Sequence, residues 1–357
     1  YYMPKIKINL INDPTIAYEK VEVDCYNDEM NLIPLNSNPF QNFRLPTNYI
    51  VDDAKILGIS NLILNKNNLC AINNLVFNSR NNDKIFHETE DNISLDKKNL
   101  YFNIIYEEKI KKGIFLGAHW NYGHWLFNHL ARLYYCQLSF KDSIIIVNNS
   151  VDNEKFKILK YFNISDDKIK IINKGTMLNV EKLIIPQMPW HSLNGQVWWA
   201  PNSFNFIRKQ IGCNLVSHNE CKTNIFITRS SARWRRVINE NRLFDIAKNY
   251  NFEIVDIGNL SVDEQINLGK KTRNLISPFG ANSNFFINLP KGAKFIELAP
   301  PINSMNVSGS FSTACGIDYL QIKGTPVKQE GVSDLDANYT IDENEFMKKM
   351  QNFCDLI

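Results

Sequence analysis

NIFITRSSARWRRVINENRLFDIAKNYNFEIVDI, residues 224–257, reads as an apolar strand, a basic loop, a helix and a second apolar strand. The run 224–228 is short and rich in Ile and Phe, the pattern of a strand buried on both faces. Residues 239–250 carry a helical pattern, and 252–257 return to a strand. Strand, helix and strand in that order make a parallel unit whose sheet is covered by helices. Between strand and helix, Arg229, Arg233, Arg235 and Arg236 fall within eight positions, in a chain whose formal net charge is only +3.

The alternation continues outward. Residues 261–271 predict a helix opened by a capping box, Ser261 with Glu264 three positions on. A strand at 274–277, a helix at 281–288 and a strand at 294–298 follow. Upstream, 201–212 suits a helix with Pro201 in its first turn and Gly212 after its end. This order predicts a Rossmann-like domain. Near the C-terminus, Thr340 and Glu343 form a second capping box, and Phe346, Met350, Phe353 and Ile357 line one stripe of a packed helix.

Toward the N-terminus, an apolar run at 114–116 precedes a helical face made by Trp125, Leu126, His129, Leu130, Leu133 and Tyr134. A strand at 143–149, a helix at 154–162 and strands at 169–172 and 183–186 come next. Residues 1–110 read as short β pieces (IKINLI, NLILN, NLVFN, LYFNIIY) between Asn-rich polar loops. The expected architecture is α/β, with two Rossmann-like domains facing a cleft. Residues 1–190 form the first, with 1–110 as its β-rich extension; 191–335 form the second, and 336–357 a closing helix.

A chain of 357 residues exceeds one ordinary core. A pI near 8.3 is mildly basic, and the basic residues are too local, with no aromatic platform among them, for nucleic acid. The seven cysteines (25, 70, 136, 213, 221, 315, 354) are odd in number and hold no Cys-x-x-Cys, so they read as free thiols of a reducing compartment. No stretch approaches the roughly 18 apolar residues of a membrane span. The opening YYMPKIKINL lacks the apolar core of a signal peptide, so the expected location is cytoplasmic.

The arginines lie just past a strand's carboxyl end, where open parallel sheets bind ligands. A guanidinium meets phosphate through a planar fork and does not titrate. Arg233 and Arg236 are three apart, so one turn of helix or a tight loop would point both the same way. One reading is a phosphate clamp; the other is a solvated basic loop partly neutralised by Glu240 and Asp245. ISPFGANSNFF, residues 276–286, supplies the opposing half of a clamp. Backbone N–H groups at Gly280 and Ala281 open a helix, with Asn282 and Ser283 as side-chain donors. Its ordinary alternative is plain capping by Asn282 or Ser283.

The chain has no G-x-G-x-x-G and no G-K-[ST], which removes support for nicotinamide and P-loop enzymes. The Asp334-Leu335-Asp336 pair sits in a Gly/Ser-flanked stretch and reads as a solvated loop. HWNYGHWLFNH spaces His119, His124 and His129 five apart, about 140° on a helix, which makes no metal face. A single histidine can serve as a general base, and His124, just after Gly123, is best placed to face a cleft; a buried, hydrogen-bonded histidine is the alternative. Trp190, Trp198 and Trp199 either stack on a sugar or base or pack between domains.

In their order these pieces resemble the family-61 glycosyltransferases. NYGHWLFNHLARL (121–133) is similar to the family's histidine motif, and ITRSSARWRRVINE (227–240) to its strand ending in Ser/Thr-Arg followed by R-R-x-x-N-E. LSVDEQI (260–266), FGANSN (279–284) and FIEL (295–298) resemble three further motifs, and STACGIDYLQIKG (312–324) a last one. The likeness spans about residues 113–324. Four positions depart from the pattern. Phe279 stands for a histidine, Asn282 for a glycine, Asn128 for an acid and Ala131 for a proline.

The resemblance implies a GT-B architecture and inverting transfer from a nucleotide sugar, a UDP-sugar foremost, with no essential metal and no cofactor. The acceptor it implies is a glycan or lipid-linked saccharide of a surface polysaccharide, with peripheral contact to the inner membrane face. Arg229, Arg233 and Arg236 would bind the diphosphate opposite Gly280, Ala281, Asn282 and Ser283. Glu297 would take the ribose hydroxyls, His124 would be the base, and His119 and Asn121 would contact substrate. Glu264 and Gln265 fall in a motif, but the capping box makes Glu264 structural first. The departures at Phe279 and Asn128 keep a second expectation in view, a non-catalytic partner that binds nucleotide or glycan.

Overall fold

The structure, a computed structural model of the 357-residue chain, describes residues 5–11, 19–22, 33–34, 47–58, 63–71, 93–96, 99–136, 143–149, 151–186, 190–193, 196–199, 201–300, 307–327, 331–332 and 336–354. Two compact units result, Tyr1–Met30 with Asn38–His191 and Asn31–Ser37 with Ser192–Ile357. The short piece Asn31–Ser37 belongs to the second because Ile33–Pro34 pairs antiparallel with Gln196–Trp199. No helix among the described residues is long and apolar enough to cross a membrane.

The first unit is built on a mixed sheet. Ile169–Ile172, Ile144–Asn148, Tyr106–Phe115 and Thr176–Pro186 lie side by side and parallel. Thr47–Leu57 then joins antiparallel to Thr176–Pro186. The sequence signals at 114–116 and 183–186 are only the buried ends of two long strands. The earlier half of Tyr106–Phe115, YEEKIKKG, is mostly exposed, so its charged residues carry no apolar signal. Val51, Ile56, Phe115, Ile146, Leu178 and Leu183 form the core of this sheet. Of the β pieces expected in 1–110, NLVFN lies outside the described residues, while IKINLI is a strand, Lys5–Ile11, and NLILN contributes Ile63–Leu64.

The helix expected around Trp125 is present but irregular. A single α turn, Tyr122–His124, passes into a π-helical turn, Trp125–His129, and then a 3-10 stretch, Leu130–Cys136. Its apolar face is buried as expected, with Trp125, Leu126, Leu130 and Leu133 all at 0% exposure. The helix expected at 154–162 is also split, into Asn153–Phe156 and a 3-10 run Lys157–Phe162, with Asp152 capping the first.

The second unit follows the alternation closely. Its main sheet has five strands, all parallel, in the spatial order Phe252–Val255, Thr223–Ile227, Thr272–Pro278, Lys294–Ala299, Asp318–Lys323. Numbered along the chain this is 2-1-3-4-5, the doubly wound order of flavodoxin-like sheets. The helix Glu240–Lys248 connects the first two strands and Val262–Lys271 the second and third. The expected helix at 281–288 is a 3-10 helix, Ala281–Asn288. A fifth α/β step, Val307–Ala314 and Asp318–Lys323, lay unassigned in the sequence beyond its family likeness. Phe226, Ile276, Ile296, Leu243, Phe346 and Met350 share one core, which is how the terminal helix Glu343–Cys354 is held.

The second capping box is not formed. Thr340 ends a strand, Tyr339–Thr340, and Asp342 caps the helix through Oδ1, which accepts the Glu345 N–H at 2.7 Å. The first box is complete. Glu264 accepts from the Ser261 N–H at 2.8 Å and the Ser261 hydroxyl receives the Glu264 N–H at 3.3 Å.

Candidate anion site at the switch point of the parallel sheet

In the 2-1-3-4-5 order, chain direction across the sheet reverses between Thr223–Ile227 and Thr272–Pro278. In doubly wound sheets this point, at the strands' carboxyl ends, is where ligands bind. The first of those loops begins at Thr228 and carries the four arginines. The second is Phe279-Gly280-Ala281-Asn282.

The two loops touch. The Arg229 guanidinium lies so close to Gly280 that a Cβ there would sit 2.1 Å from Nη1. Gly280 also has φ 145°, a conformation that side chains rarely adopt. The Asn282 amide nitrogen reaches the Thr228 carbonyl at 3.4 Å, so the residue standing for the family's second glycine ties one loop to the other. Gly280 occupies the capping position of Ala281–Asn288 and has no side chain to cap with. Its first N–H groups, at Ala281 and Asn282, precede the first internal bond, Ser283 N–H to Gly280 O at 3.1 Å.

Arg229 is fixed at its backbone by an acid, Glu240, whose charge also favours the guanidinium. Glu240, buried at 5% exposure, accepts the Arg229 N–H at 3.0 Å and the Thr228 hydroxyl at 2.9 Å. Burial pushes the Glu240 carboxyl upward against these bonds. The Arg229 side chain instead donates from Nη2 to the Trp234 carbonyl at 3.3 Å, and its buried Nε has no hydrogen bond among the described residues. Burial, and then the charge of Arg235, lower the Arg229 guanidinium below its usual value. These two cations of the loop therefore act on each other.

Of the predicted arginines, the structure brings Arg229 to Gly280. Arg233 is exposed, with its guanidinium 4.7 Å from the Trp234 ring centroid, and Arg236 is exposed with its N–H bound to Asn338 Oδ1 at 2.9 Å. Arg235, which the spacing argument passed over, is the second cation at the switch point. It lies 5.5 Å over the Phe279 ring and pairs with Asp336 at 3.6 Å. Asp334 lies outside the described residues. The loop is clamped from the far side by the chain's end. Ile238 donates to Tyr339 O at 2.8 Å, Tyr339 to Arg236 O at 3.0 Å, and Asn239 exchanges bonds with Ile341.

Two expected contacts are turned elsewhere. Ser283 is 1% exposed and its hydroxyl donates to Gly280 O at 2.7 Å, so it serves the turn. Glu297 is wholly buried. Its carboxylate accepts from Ser308 at 2.7 Å, Tyr319 at 2.6 Å and Gln321 at 3.3 Å, which leaves no face for a ribose. Burial raises its pKa against those bonds. The Tyr of the GIDY segment is thus the partner of the FIEL glutamate. Gln265 likewise donates to Ile257 O and Leu260 O, at 3.0 and 3.1 Å, and closes the turn before its own helix.

The histidines of the first unit form a separate cluster. Asn121 caps the Tyr122–His124 turn, its Oδ1 accepting from Gly123 at 2.9 Å and His124 at 3.4 Å. The Asn121 N–H donates to His119 Nδ1 at 3.0 Å, which places the neutral ring's proton on Nε2. Burial holds His119 down to about 4. His124 meets it edge to face at 4.7 Å, half-buried, and the exposed Trp120 stacks on the other side at 5.4 Å. His129 stands apart, wholly buried, with Nδ1 on Leu116 O at 2.8 Å and its pKa held well down by burial. Among the described residues no three His, Cys, Asp or Glu side chains gather as metal ligands. The tryptophan side chains at 190, 198 and 199 lie outside the described residues.

Guanidinium and helix-opening N–H groups thus meet at the switch point of a parallel α/β sheet, the place where such sheets bind ligands. The family model for glycosyltransferase 61 matches residues 122–296, from the histidine cluster through to the strand that holds Glu297. Over that span the chain matches the glycosyltransferase 61 family, which supports the resemblance read from its sequence. No curated protein matches it in sequence.

Proposed function

We propose that this chain is an inverting, metal-independent glycosyltransferase of GT-B type. It moves a sugar from a nucleoside-diphosphate donor, a UDP-sugar first, to a glycan or lipid-linked saccharide acceptor. The observation that carries the reading is the Arg229 guanidinium seated against Gly280 at the switch point. As the bond from the sugar's anomeric carbon to the diphosphate breaks, negative charge grows on the departing oxygen. Preorganised cations and N–H dipoles stabilise that charge without reorganising. Arg229 supplies the cation and Ala281 and Asn282 the N–H groups, while the exposed Arg233 and Arg236 add positive charge on the same loop.

Inversion needs one base to accept the acceptor hydroxyl's proton as its oxygen attacks opposite the leaving group. His124 takes that role. His119, neutral and protonated at Nε2, together with Asn121, holds the ring beside it and contacts the acceptor. A lipid-linked acceptor brings the protein to the inner membrane face as a peripheral visitor from the cytoplasm.

The test is a panel of nucleotide sugars with product release as readout. Turnover is expected with one donor class, unchanged by EDTA. Arg229→Ala should reduce it on the order of a hundredfold or more in a folded protein, as loss of a charge-stabilising donor does. Full activity in that variant would end the reading, and EDTA sensitivity would end its metal-free part. Phe279 and Asn128, each replacing a polar or charged residue of the family pattern, favour a second reading, a nucleotide-binding partner without catalysis. Tight binding with no turnover across the panel would select it.

A further inference from the structure

We propose that Arg235 is a second guanidinium of the diphosphate site and that Phe279, through the face of its ring, positions it there. This rests on the reading of the switch point as a diphosphate site.

Arg235 has φ 58°, a left-handed conformation that residues with a side chain rarely adopt. Such a conformation persists only where its surroundings over-determine it. Three contacts do so. The Arg235 N–H donates to Asp336 O at 3.2 Å, the side chain pairs with Asp336 at 3.6 Å, and the guanidinium lies 5.5 Å over Phe279. The Asp336 pair is half-exposed and too long for a hydrogen bond, so it is the weakest of these. The buried Nε of Arg235 has no hydrogen bond among the described residues.

Phe279 is itself fixed. Its N–H donates to Leu298 O at 2.7 Å, which pins its backbone to the neighbouring strand Lys294–Ala299. Consecutive residues of the turn thus each meet a cation, Arg235 over Phe279 and Arg229 against Gly280. Like charges so placed repel until a dianion bridges them. A histidine at 279 could donate to phosphate directly. A phenylalanine cannot, but its negative ring face holds a cation that can. On this account the departure at 279 moves the donor from the ring to Arg235.

Inorganic pyrophosphate isolates the diphosphate from base and sugar, so its affinity is measured calorimetrically at low salt. The full-length wild type should bind. Phe279→Leu, which keeps apolar bulk and loses the ring, should weaken binding about tenfold, within the range of a partly desolvated cation–π contact. Phe279→Tyr should restore it to within about twofold. Arg235→Ala should weaken it at least as much as Phe279→Leu, and the double variant should be no worse than Arg235→Ala alone, because coupled residues are non-additive. Wild-type affinity in Phe279→Leu, equal loss in Phe279→Tyr, or additive losses in the double variant would overturn the proposal and leave the diphosphate site standing. Absence of pyrophosphate binding in the wild type would overturn both.

Discussion

The two functional clusters are held in different ways. In the second unit, Arg229 and Gly280 hang from the ends of two adjacent parallel strands, so the sheet's hydrogen bonds set their separation. In the first, His119, His124 and His129 hang from a stretch that leaves a strand and then changes helical form twice before Cys136. A switch point can be read from strand order because it follows from topology. A π-helical turn cannot, because its sequence carries the same apolar face as an α-helix.

The largest expected effect breaks the contact between the loops of the second unit. Gly280→Ala places a Cβ on Arg229 and forces an unfavourable φ. Donor turnover should fall on the order of a hundredfold, the scale of a lost charge-stabilising donor. A near-normal rate would show that the contact is incidental. Next is the acid beneath the loop. Glu240→Ala leaves the Arg229 N–H and the Thr228 hydroxyl without their buried acceptor. About 2–3 kcal/mol of stability should be lost in urea unfolding, as for bonds to a charged group. A loss below about 0.5 kcal/mol would mean that the loop is held by its bonds to Tyr339 and Ile341 alone.

The first unit is probed with pH. His119 is held at about 4 in the folded chain, against 6.5 for the unfolded one, so the unfolded form takes up the proton first as pH falls. Its contribution is intact above about 6.5 and is lost as pH drops toward 4. The melting temperature should therefore fall across that window, and fall less steeply in His119→Gln. His129, also held down, keeps some slope in the variant. Parallel profiles for wild type and variant would place His119 in contact with water. The smallest effect is expected from Ser261→Ala, about 1 kcal/mol of stability with sugar transfer unchanged, since the capping box only starts a helix. Loss of transfer there would return the LSVDEQI motif to the chemistry.

Much of the second unit was legible because its strands are short apolar runs and its helices have caps and glycine stops. The strand at 224–228, the helix at 261–271 and the Ser261–Glu264 box all appear within a residue or two. The first unit hid the length of Tyr106–Phe115 because most of that strand's earlier residues face solvent. At the site, the spacing let Arg233 and Arg236 point the same way from a helical turn or a tight loop, and gave no role to Arg235. The loop instead takes a left-handed residue at Arg235 and follows the Asp336–Ile341 segment, a contact about a hundred residues distant that no local pattern encodes. The failed Thr340 cap has the same origin, since Thr340 pairs with Thr325 and leaves Asp342 to start the helix. Glu297 was placed at the correct strand end. Its partners Ser308, Tyr319 and Gln321 come from later elements that turn it inward.

The central claim is that the departing diphosphate sits where Thr223–Ile227 and Thr272–Pro278 part. A crystal structure with a bound nucleoside diphosphate tests it most directly. The account predicts phosphate oxygens within hydrogen-bond distance of the Arg229 guanidinium and of the Ala281 or Asn282 N–H. A diphosphate bound elsewhere on the chain, with Arg229 still against Gly280 and touching no phosphate oxygen, would contradict it.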